Sequence, residues 1–144
     1  MKITEITGDL FTADKDFYFA HCISSDFALG AGIAVEFRNR FNMKNELFTR
    51  FPTLRLNDSV IGKALLVDNV FNLVTKKRAF EKPTYISLEE SLLDMKQQCL
   101  DKDIKKLAMP RIASGLDRLS WKVVFGIIKD VFEDTDIEIQ IYSL

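Results

Sequence analysis

Apolar and polar residues along the chain follow two periods that take turns. Ile3 to Thr7 reads as a first strand closed by Gly8-Asp9. Phe17 to Ile23 is a near-continuous apolar run, the composition a strand needs when both faces are covered, and it predicts parallel pairing inside a sheet flanked by helices. Beyond Gly30-Ala31-Gly32, the residues Ile33, Phe37 and Phe41 recur four apart with Glu36, Arg38, Asn39 and Arg40 between them, one apolar stripe of a helix whose start carries the glycines. Ala64 to Val67 and Val70 to Thr75 flank Asp68-Asn69, a pair suited to a two-residue hairpin turn, so the sheet is expected to be mixed. Ser87 followed by Glu90 has the spacing of a capping box, and Leu88, Leu92, Met95 and Cys99 then share one face of a helix ending near Lys102. A short strand, Lys106 to Met109, stops at Pro110. Ser120 stands as the cap of a last helix with Trp121, Val124, Ile128 and Val131 facing inward, and Ile137, Ile139 and Ile141 alternate with Glu138, Gln140 and Tyr142 in a closing strand. The pattern predicts an α/β fold in three layers, α/β/α, formed by residues 1–144 as one domain.

Composition narrows the function. The chain has 144 residues, 47% of them hydrophobic and 28% charged, and a formal net charge of −1, so it offers no uniform field to hold nucleic acid or an acidic membrane surface. Its two cysteines, Cys22 and Cys99, and its single histidine, His21, cannot assemble a zinc cluster at the usual ligand spacings. Both cysteines sit among apolar neighbours, which predicts buried, reduced thiols and an intracellular protein, cytoplasmic or nuclear. The N-terminus alternates instead of presenting an apolar run, and no stretch approaches the ~18 residues that span a bilayer, so no membrane association is expected.

In open α/β sheets ligands bind beyond the carboxyl ends of the strands. Three segments lie there. His21 to Asp26, running on to Gly30-Ala31-Gly32, joins a buried strand to a helix start with little side chain, where free N–H groups and a dipole end can meet an anion. The glycines would equally serve a tight turn. Pro110 to Arg118 again leaves a strand and enters a helix, and two such loops on neighbouring strands suit a diphosphate. Asp117 would equally cap that helix and pair with Arg118. Thr75-Lys76-Lys77-Arg78-Ala79 crowds three cations, most simply a solvated cluster, although a partly desolvated lysine beside a carboxylate such as Asp117 can act as a nucleophile. His21, at the end of a buried strand, reads as a hydrogen-bonded structural histidine. Trp121 and the phenylalanines read as core, and Phe80, between the lysine loop and Pro83, is alternatively placed to close over a ribose.

Taken together, Gly8-Asp9-Leu10-Phe11, Ala20-His21-Cys22-Ile23-Ser24, Gly30-Ala31-Gly32-Ile33-Ala34, Thr75-Lys76-Lys77-Arg78-Ala79, Lys82-Pro83-Thr84-Tyr85, Met109-Pro110-Arg111-Ile112 and Gly115-Leu116-Asp117-Arg118-Leu119 resemble the macrodomain family. More narrowly, they resemble its terminal ADP-ribose protein glycohydrolase branch, and the likeness runs from the first strand to Leu144. The resemblance implies that Asp9 holds the adenine amino group with Leu10 beside it. It maps the phosphate loops onto Ser24 with Gly30, Ala31, Gly32 and Ile33, and onto Arg111, Ile112, Ala113, Ser114, Gly115 and Leu116. Tyr142 and Leu144 would flank the adenosine, and Lys76 and Asp117 would be catalytic. The branch usually has Gly-Cys-Gly where this chain has Ala113-Ser114-Gly115. The Ala113 methyl is expected to narrow the diphosphate loop or to require a backbone without positive φ. Asn42 to Lys63 matches nothing that supports a functional assignment.

The implied activity is a hydrolase that removes terminal mono-ADP-ribose from acidic side chains of modified proteins through a lysyl-ADP-ribose intermediate, with O-acyl-ADP-ribose deacylation as a side activity. No cofactor or metal is implied. Partners would be ADP-ribose and ADP-ribosylated proteins, and the chain is expected to be a monomer. Two alternatives stay open: a reader that binds ADP-ribose without turnover, and a glycohydrolase directed at ADP-ribosylated DNA, with Lys76, Lys77, Arg78 and Lys82 steering the polyanion.

Overall fold

A computed structural model describes residues 1–144. Six strands form a single sheet: β1 (Lys2–Thr7), β2 (Tyr18–Ser24), β3 (Ala64–Val67), β4 (Val70–Lys76), β5 (Lys106–Pro110) and β6 (Glu138–Ser143), in the order β1-β6-β5-β2-β4-β3. Every neighbouring pair is parallel except β3 with β4. That hairpin turns at Asp68-Asn69 with Val67 opposite Val70, and Asp68 takes φ +52°, as a tight two-residue turn demands. The mixed sheet is the one the pattern predicted, and parallel β2 is buried along almost its whole length.

Four helices cover the two faces: α1 (Ile33–Phe41), α2 (Met43–Arg50), α3 (Tyr85–Lys102) and α4 (Trp121–Phe132). Against α1 and α2 the sheet packs Phe19, Ile23, Val70 and Val74 with Phe37, Met43 and Leu47. On the opposite face Phe71, Leu73, Leu107 and Ile139 meet Leu88, Leu92 and Met95 of α3 and Val124 and Ile128 of α4. The layering is thus α/β/α. Burial of these side chains, about 1.5–3 kcal/mol for each large one, is what fixes the helices onto the sheet.

Two sequence expectations need correction, and one segment without an assignment proves to be structured. Helix α3 begins one turn early: Thr84, not Ser87, is its N-cap, and Ser87 is the N3 partner whose backbone N–H donates to Thr84 Oγ1 at 3.0 Å. Ser87 is held there because its hydroxyl also donates to the Thr75 carbonyl at 2.6 Å, tying the helix start to β4. Trp121 is only half-buried, its indole N–H donating to Glu5 Oε1 at 3.3 Å on the surface. Within Asn42 to Lys63, the structure holds a full helix, α2, that anchors Met43 and Leu47 in the core.

Candidate active site

Because β1, β6, β5, β2 and β4 run parallel, their carboxyl ends line one edge of the sheet, and every segment singled out above leaves the sheet there. A cavity of about 650 Å³ opens along this edge, within the size range of small-ligand sites. Its walls include Ser24, Gly30, Ala31, Gly32, Ile33, Lys76, Arg111, Ile112, Ala113, Gly115, Leu116 and Asp117. Asp9, Leu10, Ser114, Tyr142 and Leu144 lie outside those walls. Asp9 is exposed just after β1, where its Oδ1 accepts the Phe11 N–H at 3.0 Å, and Leu10 behind it is buried in the core. Tyr142 is buried near the end of β6 with its hydroxyl donating to Gln140 Oε1 at 2.8 Å, and Leu144 is fully exposed beyond it. The Gly8 N–H donates to the Ser143 carbonyl at 2.8 Å, so Asp9 and Leu144 leave neighbouring strand ends together. The Ser114 hydroxyl donates to the Arg111 carbonyl at 2.8 Å and braces the loop from within.

Both loops are built to present backbone N–H groups. In the first, none of the residues from Leu29 to Ala34 donates to a backbone carbonyl, and no side chain caps α1. Gly32 takes φ +61° and ψ −146°, a conformation open essentially to glycine alone. In the second, the N–H groups of Ser114 to Asp117 are likewise unspent on carbonyls. Unspent donors at a helix start and in a curved loop make concavities for anions. The loops also meet: Leu116 reaches over Gly32, its Cδ1 3.2 Å from where a Cβ would stand.

Strain collects in the same place. Phe27 and Leu29 on the first loop, and Ala113 and Arg118 on the second, all have positive φ. Ala113 stands at φ +60°, so the expectation that alanine would require a backbone without positive φ there is overturned. Left-handed backbone costs a non-glycine residue about 1–2 kcal/mol. The loop is nonetheless held, since the Leu119 N–H donates to the Ala113 carbonyl at 2.9 Å and buried Ile112 and Leu119 anchor both ends.

At one end of the cavity Lys76 Nζ donates to Asp117 Oδ1 at 2.7 Å, both side chains less than a fifth exposed. The order β5-β2-β4 makes this contact: Lys76 closes β4, Asp117 follows β5, and the two segments close over the end of β2 between them. Cys22, on β2, also lines the cavity, so only one of the two cysteines is fully buried. Burial first, and the charge of Asp117 second, push its thiol pKa up, which keeps it protonated and unsuited to act as a thiolate nucleophile. Burial alone pushes the Cys99 thiol up to about 12.

Sequence reasoning missed Asp26. Its carboxylate accepts from the Ser24 hydroxyl at 2.5 Å, from the Ala28 N–H at 3.2 Å and from the Ala79 N–H at 3.0 Å, and so staples the first loop to the lysine loop. Burial opposes the anion there, but these hydrogen bonds outweigh it and hold the carboxyl below its usual pKa. The Ser25 and Asp26 N–H groups add bonds to the Lys76 and Lys77 carbonyls at 2.9 and 3.1 Å. The segment after α2 braces this junction from outside, with Arg55 Nε on the Asp26 carbonyl at 3.1 Å and Asp58 paired to Lys77 at 3.0 Å. An aspartate two residues beyond a strand end was the available signal; its partners, 53 residues away at Ala79, were not.

No family model matches the chain. It is 43% identical over 147 residues, covering 99% of this chain and 92% of the other, to a human protein named ADP-ribose glycohydrolase OARD1. It is 28% identical to a Mycobacterium tuberculosis protein named DNA ADP-ribosyl glycohydrolase, over 97% of this chain but 42% of that one. Among solved structures, the macrodomain of Thermus aquaticus DarG superposes with a TM-score of 0.85 at 20% identity, covering 99% of this chain and 98% of that one. The macrodomain of Mycobacterium tuberculosis DarG gives 0.84 at 26%, covering 99% and 97%.

Proposed function

This chain belongs to the macrodomain family, in its ADP-ribose glycohydrolase branch, and on that footing we propose that it releases terminal mono-ADP-ribose from acidic side chains of modified proteins. The observation that carries the proposal is the 2.7 Å pair of Lys76 and Asp117 at one end of a cavity walled by two donor-rich loops. The loops take the diphosphate through backbone N–H groups, which leaves the distal ribose at the Lys76 end and the adenosine toward Asp9, Leu10, Tyr142 and Leu144.

The chemistry follows from that placement. An ammonium has no lone pair, so Lys76 must first lose a proton, and Asp117 is the base in contact with it. The free amine attacks the anomeric carbon, a C–N bond forms, and the C–O bond to the acceptor breaks with its electron pair leaving on the carboxylate. A carboxylate is a good leaving group and needs no acid to assist it. Ring opening, with the proton held by Asp117 passing to the ring oxygen, converts the lysyl adduct to an imine and restores the Asp117 carboxylate. Water, deprotonated by Asp117, adds to that imine, and C–N cleavage returns ADP-ribose and the Lys76 amine. An acyl ester on the anomeric hydroxyl of ADP-ribose enters the same sequence, so deacylation of such an O-acyl-ADP-ribose is expected alongside.

The test compares two neighbouring cations. Lys76→Ala abolishes ADP-ribose release from an ester-linked protein substrate while ADP-ribose binding stays within tenfold, about 1.4 kcal/mol. Lys77→Ala, whose ammonium is engaged by Asp58, is far milder. Asp117→Ala stops turnover, and a Lys76 adduct visible by intact-protein mass spectrometry would place its main role after attack, whereas no adduct would place it at the deprotonation of Lys76. Full activity in Lys76→Ala would sink the mechanism, and equal damage at both lysines would favour an electrostatic role. A base-linked DNA acceptor is the second reading, favoured by the 28% identity to a DNA ADP-ribosyl glycohydrolase, and a base-linked oligonucleotide belongs in the same assay. Binding with no turnover of any substrate would leave a reader.

A further inference from the structure

Phe80 is an apolar side chain held in water at the site by a hydrogen-bonded turn. It is 85% exposed at the cavity mouth, in the loop that follows Lys76, and is not part of the core. Its turn is tied down: the Ala79 N–H donates to Asp26 Oδ2 at 3.0 Å, the Arg78 N–H to Glu81 Oε1 at 2.7 Å, and the Glu81 N–H to the Arg78 carbonyl at 3.0 Å. Across the mouth, Leu116, 70% exposed, precedes Asp117. Thus each of the two loops bearing the Lys76–Asp117 pair holds an apolar side chain out into solvent beside it.

Charge marks the same rim. Arg78, Lys82 and Arg118 flank Phe80 and Asp117, and none of them forms an ion pair, whereas Lys77 beside them is matched by Asp58 at 3.0 Å. The charges of ADP-ribose reside on its diphosphate, which the two backbone loops serve. The rim cations are therefore surplus to ADP-ribose itself. The scissile bond lies at the Lys76–Asp117 end, so whatever is joined to the ribose must leave the cavity past Phe80 and Leu116.

We propose that Phe80, with the unpaired cations Arg78, Lys82 and Arg118, forms the acceptor-binding surface of this site, and that its occupant is the acidic polypeptide segment flanking the modified carboxylate. The proposal rests on the glycohydrolase reading above and adds what the enzyme recognises beyond ADP-ribose. A polypeptide fits better than a nucleic acid. Stacking along a single strand uses successive aromatics and a continuous basic track. Here Phe80 is the sole aromatic more than half exposed, and the chain's net charge is −1. A short acidic segment with an apolar neighbour matches a rim on which three unpaired cations outnumber the one carboxylate beside the ring, Glu81.

The experiment uses ADP-ribose on three carriers: an acidic peptide through a Glu ester, acetate through the same ester linkage, and an oligonucleotide through an N-glycosidic bond to a base. Phe80→Ala is expected to lower kcat/KM at least tenfold on the peptide, chiefly through KM, and to leave the acetyl ester within twofold. The pair Arg78→Glu and Lys82→Glu gives the same selective loss and removes the salt dependence seen for the peptide in the unsubstituted protein. A second measurement is independent of turnover. In the Lys76→Ala background the ester-linked peptide binds at least tenfold tighter than free ADP-ribose, and Phe80→Ala erases that gain while leaving free ADP-ribose within twofold. Equal loss on peptide and acetyl ester, no loss on either, or loss confined to the oligonucleotide overturns the assignment. Absence of turnover on all three carriers counts against the glycohydrolase reading alone, and the binding comparison then decides the surface.

Discussion

Lowering the pH from 7.5 to 5 should destabilise the fold through a single group, His21. The ring is fully buried and stacks on Phe37 with centroids 4.0 Å apart. Nε2 lies 2.6 Å from Asn72 Oδ1, its cross-strand partner on β4. Because the Asn72 amide nitrogen donates to the Leu65 carbonyl at 3.1 Å, Asn72 Oδ1 is the acceptor and His21 Nε2 carries the proton. Nδ1 is left with no partner at all, which suits the neutral ring and would strand an N–H donor in the charged one. Burial accordingly lowers the His21 pKa from 6.5 to about 4, against a small opposing effect of the Asn72 hydrogen bond. The unfolded chain takes up a proton between pH 6.5 and 4 and the folded chain does not. Stability is therefore complete above pH 6.5 and falls with pH through that window. Linkage at His21 gives a loss of about 1 kcal/mol at pH 6 and about 2 at pH 5. Urea unfolding followed by the single tryptophan, Trp121, measures it. His21 is the sole histidine, so the change between pH 6.5 and 5 has one source, and His21→Gln should flatten it. A midpoint constant from pH 7.5 to 5, or a His21 ring titrating near 6.5 by NMR, would refute the reasoning.

Other consequences follow from the cavity. Asp9→Ala should weaken ADP-ribose binding by about 1–3 kcal/mol in calorimetric titration, the scale of a hydrogen bond to a charged group, and unchanged affinity in a folded variant would remove Asp9 from the site. Gly32→Val places a β-branched side chain at φ +61° against Leu116, 3.2 Å from its Cβ position, so ADP-ribose binding should fall steeply, and equal affinity would refute the loop assignment. Asp26→Ala frees the Ala79 and Ala28 N–H groups, and kcat on an ester-linked substrate should drop at least tenfold with ADP-ribose affinity changed less than threefold; a matched loss in both would make Asp26 merely structural.

Much of this molecule was legible in its residues because the controlling interactions are local. The doubly covered run at β2, the Asp68-Asn69 hairpin and the stripe of Leu88, Leu92, Met95 and Cys99 on α3 each follow from side-chain period or turn chemistry within a few residues. So did the glycine-rich start of α1, where Gly32 adopts a conformation that other residues resist. The resemblance to macrodomains rested on such short segments. What the tertiary structure alone decided depends on strand order, which no local pattern encodes. Lys76 and Asp117 are 41 residues apart, and they meet at 2.7 Å because β2 lies between β4 and β5 in the sheet. The same order threads Cys22 beneath them and brings Asp26 to Ala79. Local preference was overridden twice. Ser87 serves as N3 and not as the cap because its hydroxyl is claimed by β4, and Ala113 is driven to positive φ because buried Ile112 and Leu119 fix the ends of its loop. In both cases a few kilocalories of tertiary packing and hydrogen bonding exceed a local preference of about 1 kcal/mol.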